Sequence, residues 1–283
     1  MARQLRIQYE GALYHIMSRG NAQMMIFHDD ADRIKFLNIF HKTIKRFTWL
    51  CHAYCLMGNH YHLLIETPDA NLAKGMKYLN QVYTQFFNYK YHRVGHVLQG
   101  RYKAIIVQKD TYLLHCCRYI ALNPWDAKLV EHPSGWPWSS YGATAGLVKT
   151  PPLLTTGWLL EQFGFTVKKA RENYVRFVEA DMDGFRTKLD IRFQLFLGSD
   201  EFIKNILKQY GPMNQKTGIN NTQLSTGRLP LAEVFSGMNG SRKLRNQAIL
   251  QAYRTYKYPL KEIASHLSMN PNYLCQIIKA LET

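Results

Sequence analysis

The order of strand-like and helix-like segments in the first half of the chain most constrains its fold. Four segments have the apolar character of strands, namely ALYHIMSRG, WLCHAYCLMG, YHLLIET and GHVLQGRYKAIIVQ. Apolar side chains recur at helical spacing in DADRIKFLNIFHKTIKRF and in residues 70–91. Gly58 and Asn59 are suited to a hairpin turn between the second and third strands. This β-α-β-β-α-β order predicts an α+β fold, a ferredoxin-like antiparallel sheet with helices on one face.

A third helix is predicted for the segment DTYLLHCCRYIALNP. We expect it to end at Asn123 and Pro124, because proline disfavours a helical conformation in the residue before it and cannot continue the hydrogen-bond ladder. Tyr119 and Asn123 are four residues apart and therefore lie on one face of this helix, about one turn from each other.

The second half of the chain divides by composition into two further parts. The Pro-, Gly- and Ser-rich segment EHPSGWPWSSYGATAGLVKTPP predicts the edge of a first domain, residues 1–145. Residues 146–235 read as a helical extension, and the polar segment YGPMNQKTGINNTQLSTGRLP within them reads as a linker. Residues 236–283 are predicted to form a separate helical domain.

The carboxyl-terminal segment PLKEIASHLSMNPNYLCQIIKAL has the pattern of a helix-turn-helix. Its apolar residues stand where such a motif needs its inward faces, at Ile263, Ala264, Leu267, Leu274, Ile277 and Ile278. Basic residues near this motif favour a DNA-binding role, among them Arg242, Lys243, Arg245 and Lys261. An ordinary helical hairpin is the alternative.

The charge of the chain indicates an anionic partner. The sequence contains 36 Lys and Arg against 20 Asp and Glu, a formal net charge of +16. Such a balance favours nucleic acid, or less often an anionic membrane surface. No apolar stretch approaches the roughly 20 residues that span a bilayer, and the first residues lack the apolar core of a secretory signal. We therefore expect a cytoplasmic protein, and the odd set of five cysteines fits free thiols in a reducing compartment.

His60 and His62 form a His-x-His pattern in the third predicted strand. Side chains alternate along a strand, so both imidazoles project to one face, where they can converge on one ion, and Tyr61 points away. A half-buried strand that carries two histidines by chance is the alternative. Cys51 and Cys55 could suggest a zinc site, but they lie in an apolar strand-like run and no second Cys pair follows at finger-like spacing.

Tyr119 and Asn123 would complete a site for phosphodiester chemistry. An amide oxygen can bind a hard divalent cation, and a phenol can attack phosphorus. A tyrosine with its ordinary pKa of about 10 is a weak nucleophile at neutral pH. Bound Mg²⁺ or Mn²⁺ would polarise the phosphate and stabilise the charge that develops. A phosphotyrosine would keep the phosphoester available for rejoining without ATP. Asn123 could instead be only the polar end of the helix, and Tyr119 only a core residue.

Four stretches, in this order, resemble the REP-associated tyrosine transposases, relatives of the HUH transposases of insertion sequences: SRGNAQMMIFHDDADRIKFL, CLMGNHYHLLIET, FFNYKYHRVGHVLQGRYKAIIV and YLLHCCRYIALNP. The resemblance covers about residues 5–141. It implies a metal-binding pair at His60 and His62, a candidate third ligand at Asn123 and a nucleophile at Tyr119. Bulky Tyr61 and the long carboxyl extension depart from the pattern of the family.

The implied activity is cleavage and rejoining of single-stranded DNA next to palindromic, REP-like hairpins. The reaction would proceed with Mg²⁺ or Mn²⁺ through a 5′-phosphotyrosine that leaves a free 3′-OH. Arg19, Arg101 and Lys103 fall in the matching basic stretches, where they would bind phosphates or be solvated surface charges.

Two other functions stay open. The chain could be a non-catalytic, domesticated DNA-binding regulator that keeps the fold and the charge. A zinc hydrolase using His60 and His62 would need a water-activating carboxylate, for which Glu66 has the right strand parity. Whether a transposase site would form within one chain or in a homodimer is also open from the sequence.

Overall fold

The computed structural model describes residues 7–182, 189–210, 231–235, 242–254 and 260–267, and near the carboxyl end residues 256, 258, 269, 274, 277 and 278. Four of them are described by their backbone alone: Glu233, Arg242, Lys243 and Lys261. The chain forms two compact units, Met1–Leu224 and Ser225–Thr283.

The first unit begins with seven elements in the predicted order. They are strand β1 (Ala12–Arg19), helix α1 (Asp30–Phe47), strands β2 (Leu50–Leu56) and β3 (His60–Thr67), helix α2 (Leu72–Lys90), strand β4 (Lys103–Val107) and helix α3 (Lys109–Asp126). The side chain of Asp29 caps α1 by accepting a hydrogen bond from the backbone N–H of Asp32 at 2.9 Å. Strand β4 starts later than predicted. Within the predicted residues 95–102, which precede it, Leu98 forms an isolated bridge to Gly20.

Within the described residues the sheet has the strand order β2-β3-β1-β4-β5, where β5 is Phe196–Leu197. The first four strands pair antiparallel, as predicted for a ferredoxin-like sheet. β5 pairs parallel to β4 and makes the sheet mixed. The α+β class is confirmed. A two-residue strand is too short to carry the alternation by which a strand is recognised, so β5 was not predicted.

Helices cover both faces of the sheet, not the one face that we predicted. On one face, Tyr14, Ile16 and Leu63 pack with residues of α1 and α2. On the other face, Leu13, Leu64 and Ile105 pack with residues of α3. The strands are apolar on both sides, so each face needs a covering layer. The two crossover helices share one face, and the third helix covers the other.

Helix α3 continues through Pro124 to Asp126, so its predicted end at Asn123 was wrong. Proline removes one backbone donor from the ladder, but its neighbours keep the following turn hydrogen-bonded. The N–H of Ala127 donates to the Asn123 carbonyl at 3.1 Å, and that of Lys128 to the Trp125 carbonyl at 2.8 Å. Ile120, Leu122 and Pro124 are buried, and this burial offsets the lost hydrogen bond.

The described part of residues 141–210 packs on this core. Helices α4 (Tyr141–Ala145), α5 (Gly157–Glu161) and α6 (Val167–Glu179) contribute to the cluster around α3, for example through Tyr141, Leu159 and Tyr174. Helix α7 (Asp200–Tyr210) contributes Ile203 and Ile206 to the cluster on the opposite face. The linker predicted for residues 210–230 lies, beyond Tyr210, outside the described residues.

The second unit contains helices α8 (Leu231–Val234), α9 (Arg242–Arg254) and α10 (Leu260–Leu267). Its core includes the positions predicted to face inward: Ile263, Ala264, Leu274, Ile277 and Ile278 are buried, and Leu267 packs against them. The helical carboxyl-terminal region is thus confirmed. Among the described residues of the whole chain, no helix is both long and apolar enough to cross a membrane.

Candidate active site

The sheet face under α3 carries the candidate site. Because side chains alternate along β3, His60 and His62 lie on this face, and Tyr61 packs among the residues of the opposite cluster. On the neighbouring strand β1, Met17 stands beside His62 and Arg19 beside His60 in the antiparallel register. His60 and His62 therefore share one face of the sheet and Tyr61 lies on the other, as predicted from the sequence.

A cavity of about 590 Å³ opens at this place. It is lined by all seven residues predicted for the amino-terminal site: Arg19, His60, His62, Arg101, Lys103, Tyr119 and Asn123. Strands β1, β3 and β4, the loop before β4 and helix α3 thus bring the predicted residues together. All of them belong to one chain and to its first unit.

The two histidines stand close enough to share one cation. Their ring centroids are 5.1 Å apart, and the ring planes are inclined by 79°. His62 is buried and His60 is half-buried. Burial, and then the positive charge of Arg19, lowers the pKa of His60. A lowered pKa keeps this imidazole neutral near pH 7, the form that can bind a metal ion.

Tyr119 extends from α3 toward the histidine pair. Its ring centroid lies 6.0 Å from that of His62, and 5.7 Å from that of His15. Tyr119 is half-buried. One helical turn later, the side-chain Nδ2 of Asn123 donates to the backbone carbonyl of Tyr119 at 2.7 Å. A carbonyl oxygen can only accept a hydrogen bond, so the side-chain atom that faces it must be Nδ2. The other end of the carboxamide, Oδ1, therefore points away from this carbonyl.

These residues fit a divalent cation. No group of three or more His, Cys, Asp and Glu in the described part of the chain is arranged for metal binding. The donor set at the cavity is instead two imidazoles and one amide oxygen, from His60, His62 and Asn123. These three donors leave further coordination positions for water and phosphate oxygens, and they do not by themselves select one divalent cation.

Three basic residues surround the opening of the cavity. Arg19, Arg101 and Lys103 are exposed. The Nε of Arg19 donates to Oε1 of Gln99, which holds the guanidinium beside His60. In protein–DNA interfaces, arginine and lysine side chains of this kind contact phosphate oxygens.

Two residues that contact the histidines were not singled out from the sequence. His15 contacts His62, with its Nε2 3.0 Å from Nδ1 of His62. Asn59 accepts a hydrogen bond from His60, with Oδ1 2.7 Å from Nδ1. His15 lies on the same face of the sheet as His62. Met17 is paired with His62, and His15 stands two residues from Met17 on β1, where side chains alternate.

The structure does not favour a zinc site at Cys51 and Cys55 or a zinc hydrolase that uses Glu66. The thiols of Cys51 and Cys55 are buried, and this burial raises the pKa of each. A raised pKa opposes the thiolate that zinc requires. Glu66 is bound by His52 and Lys109, each at 2.8 Å, at the end of β3 remote from His60. Its carboxylate therefore binds His52 and Lys109 and does not face the histidine pair.

The basic residues predicted in the second unit are only partly described. Arg242, Lys243 and Arg245 lie on α9 and Lys261 lies on α10. Arg245 is partly exposed. The side chains of the other three fall outside the described part of the structure.

A His-x-His pair, a nearby helical tyrosine and an amide on a ferredoxin-like sheet define a candidate polynucleotide-processing site. Residues 8–123 match the family model described as "Transposase IS200 like". This segment contains every residue that lines the cavity, and it is similar to the IS200-like transposases. The resemblance inferred from the sequence motifs is confirmed at this level.

One solved structure similar to this chain is described as the REP-associated tyrosine transposase bound to a REP hairpin. The two chains are 15% identical, with a TM-score of 0.45, and the match covers 54% of this chain and 90% of that one. No curated protein matches the sequence.

Proposed function

We propose that this protein cleaves and rejoins single-stranded DNA next to palindromic hairpins, with Tyr119 as the nucleophile and a divalent cation bound by His60, His62 and Asn123. The observation that carries this proposal is the 6.0 Å approach of the Tyr119 ring to the ring of His62 in a cavity that Asn123 also lines. The hairpin is proposed from the resemblance of the sequence to REP-associated transposases.

Different residues of the cavity would bind the cation and the phosphates. The imidazoles of His60 and His62, with Oδ1 of Asn123, would hold Mg²⁺ or Mn²⁺. The ion, when bound, would supply charge stabilisation and orient the phosphate for in-line attack. Arg19, Arg101 and Lys103 would bind neighbouring phosphates and hold the strand in register.

The proposed reaction conserves the phosphoester. The phenol oxygen of Tyr119 attacks phosphorus and loses its proton, the bond from phosphorus to the 3′ oxygen breaks, and that oxygen takes up a proton. The products are a 5′-phosphotyrosine and a free 3′-OH. In the second step, a 3′-OH attacks the phosphotyrosine and releases Tyr119. The exchange needs neither ATP nor water as a reactant.

Covalent capture tests the nucleophile. The full chain is incubated with Mg²⁺ and labelled single-stranded oligonucleotides that carry hairpins, and products are separated on a denaturing gel. Tyr119→Phe should abolish the covalent protein–DNA band and keep DNA binding. Tyr112→Phe is the matched control, because Tyr112 lies two turns earlier on α3 and does not line the cavity. Covalent capture by Tyr119→Phe at the wild-type level would overturn the assignment.

The same experiment separates the enzyme from a regulator that only binds DNA. A binding-only protein would retain the hairpin oligonucleotide in a native gel and yield no covalent band, whether or not EDTA is present. The presence of histidines, amide and tyrosine around one cavity supports the enzyme.

We also propose that residues 236–283 are a helix-turn-helix domain that reads duplex or hairpin DNA. The buried inward positions of α10 and of residues 274, 277 and 278 support this proposal. Arg242, Lys243, Arg245 and Lys261 would contact the backbone. The boundaries at residues 145 and 235 remain predictions.

A further inference from the structure

We propose that Asn59 and His15 are positioning residues that set which ring nitrogen of His60 and of His62 faces the cavity. This inference rests on the proposed function, because it concerns the pair that would hold the cation. Neither residue needs to contact DNA or the ion. Each acts through the Nδ1 atom of one histidine, so that Nε2 is the nitrogen presented to the ion.

The orientation of the Asn59 side chain is fixed by a hydrogen bond to the backbone of Gln23. Its Nδ2 donates to the backbone carbonyl of Gln23 at 3.2 Å, and a carbonyl can only accept. The other end, Oδ1, therefore faces Nδ1 of His60 at 2.7 Å. An amide oxygen also can only accept, so Nδ1 of His60 must carry the hydrogen. In a neutral imidazole the lone pair is then on Nε2. One backbone carbonyl thus determines the tautomer of His60.

His15 engages the other histidine. Its Nε2 lies 3.0 Å from Nδ1 of His62, so in the proposed site a cation would be bound through Nε2 of His62. When Nε2 of His62 binds an ion, its Nδ1 must carry the hydrogen and donate it to His15. His15 is 1% exposed, and its Nε2 lies within hydrogen-bond distance, where it can accept this hydrogen.

The role of His15 differs from that of Asn59 in one respect. Among the described residues, Nδ1 of His15 has no hydrogen-bond partner. An ion bound by Nε2 of His62 would place the hydrogen between the two rings on Nδ1 of His62. Metal-free protein should show the hydrogen of His60 on Nδ1.

The first test needs no metal and no DNA. Long-range ¹H–¹⁵N NMR of the metal-free full chain, labelled at histidine, reports which nitrogen of His60 is protonated. Wild type and Asn59→Asp, which keeps the accepting oxygen, should show the hydrogen on Nδ1. Asn59→Leu should show a mixture of the two forms. A hydrogen on Nε2 of His60 in the wild type, or an unchanged spectrum of His60 in Asn59→Leu, would overturn the role of Asn59.

The second test measures Mn²⁺ affinity by calorimetry. Loss of a partner that orients a metal-binding histidine typically weakens affinity by about 10–100-fold. We expect this loss in Asn59→Leu and His15→Phe, and affinity near the wild-type value in Asn59→Asp and His15→Gln, which retain an acceptor. His52→Phe is the matched control, because His52 is also 1% exposed but contacts Glu66.

The outcomes separate this inference from the proposed function. Equal affinity in the Leu, Phe and conservative variants would overturn the positioning roles. An equal loss in His52→Phe would show that any buried substitution acts in the same way, and would also overturn them. If wild type binds no Mn²⁺, the proposed metal site fails together with the role of His15, while the tautomer of His60 still decides the role of Asn59.

Discussion

At the scale of single residues, Asn123 would connect the proposed nucleophile to the proposed cation site through the two ends of one carboxamide. Nδ2 is bonded to the Tyr119 carbonyl at 2.7 Å, and the proposed role of Oδ1 is cation binding. Asn123→Ala should reduce Mn²⁺-dependent cleavage on the order of tenfold or more, with part of the rate recovered at high Mn²⁺. It should also lower the free energy of unfolding by about 1 kcal/mol, the usual contribution of one hydrogen bond.

Asn123→Asp distinguishes the two ends. It keeps an oxygen for the cation but cannot donate to the carbonyl, so its cleavage at saturating Mn²⁺ should exceed that of Asn123→Ala. Cleavage rates measured over a series of Mn²⁺ concentrations check this order. A cleavage rate of Asn123→Ala equal to that of wild type at every concentration would exclude Asn123 as a ligand.

The residues of the site divide into those that sequence can reveal and those that need the fold. His60, His62, Tyr119 and Asn123 were selected because their types and spacings match a known chemistry. His15 stands in an apolar strand and looks like a core residue, and its contact with His62 depends on the pairing register of β1 and β3. Asn59 was interpreted as a turn residue, and only the observed hydrogen bonds show its second role.

At the scale of secondary-structure elements, Gly75 lets α2 approach Trp49. A Cβ at this position would overlap the Trp49 ring. Glycine in a helix interior is usually less stable than alanine by about 1 kcal/mol. Overpacking a buried aromatic costs about 1–3 kcal/mol, so the clash should outweigh the gain in helix propensity. Gly75→Ala should therefore lower the midpoint of urea unfolding, whereas an unchanged or higher midpoint would show that Trp49 moves aside freely.

Glu66 joins three elements, because it binds His52 of β2 and Lys109 of α3 from its place on β3. The hydrogen bond from His52, together with Lys109, lowers the pKa of Glu66 below its ordinary value of 4.5. A carboxyl with a lower pKa in the folded state stabilises that state above its unfolded pKa, and this stability is lost as pH falls through the folded pKa. The free energy of unfolding should therefore fall with decreasing pH below about 5.

Glu66→Gln isolates this contribution. The variant should be less stable than wild type at pH 7, and the difference should shrink as pH falls below the ordinary carboxyl range. Urea unfolding at a series of pH values from 7 to about 3 measures it. A difference between wild type and variant that is the same at every pH would contradict the role of the ionised carboxylate.

The element pattern was largely predictable, and its exceptions have physical reasons. Strands β1 to β4 and helices α1 and α2 carry long apolar repeats that local sequence reveals. Helix α3 passes through Pro124 because burial offsets a lost hydrogen bond, and burial is a property of the folded chain. The two residues of β5 join the sheet through a long-range parallel pairing with β4 that leaves no local pattern.

At the scale of the whole molecule, a chain with a formal net charge of +16 has exposed basic residues at its cavity. Arg101 and Lys103 line the cavity, and both are exposed. A single strand entering the cavity would meet these charges, which favours steering of a polyanion.

The double reversal Arg101→Glu and Lys103→Glu should weaken binding of a hairpin-flanked single strand and make that binding less dependent on salt. For single strands, each phosphate contact contributes about 0.7 to the slope of log affinity against log salt, so losing two contacts should reduce the slope by about 1.4. Titrations from low to moderate salt measure both effects. Lys42→Glu with Lys45→Glu is the matched control, since it changes the net charge equally on exposed positions of α1, which packs on the sheet face opposite the cavity. If both double variants reduce affinity and slope alike, the net charge of the molecule alone governs binding, and the strand has no preferred path over Arg101 and Lys103.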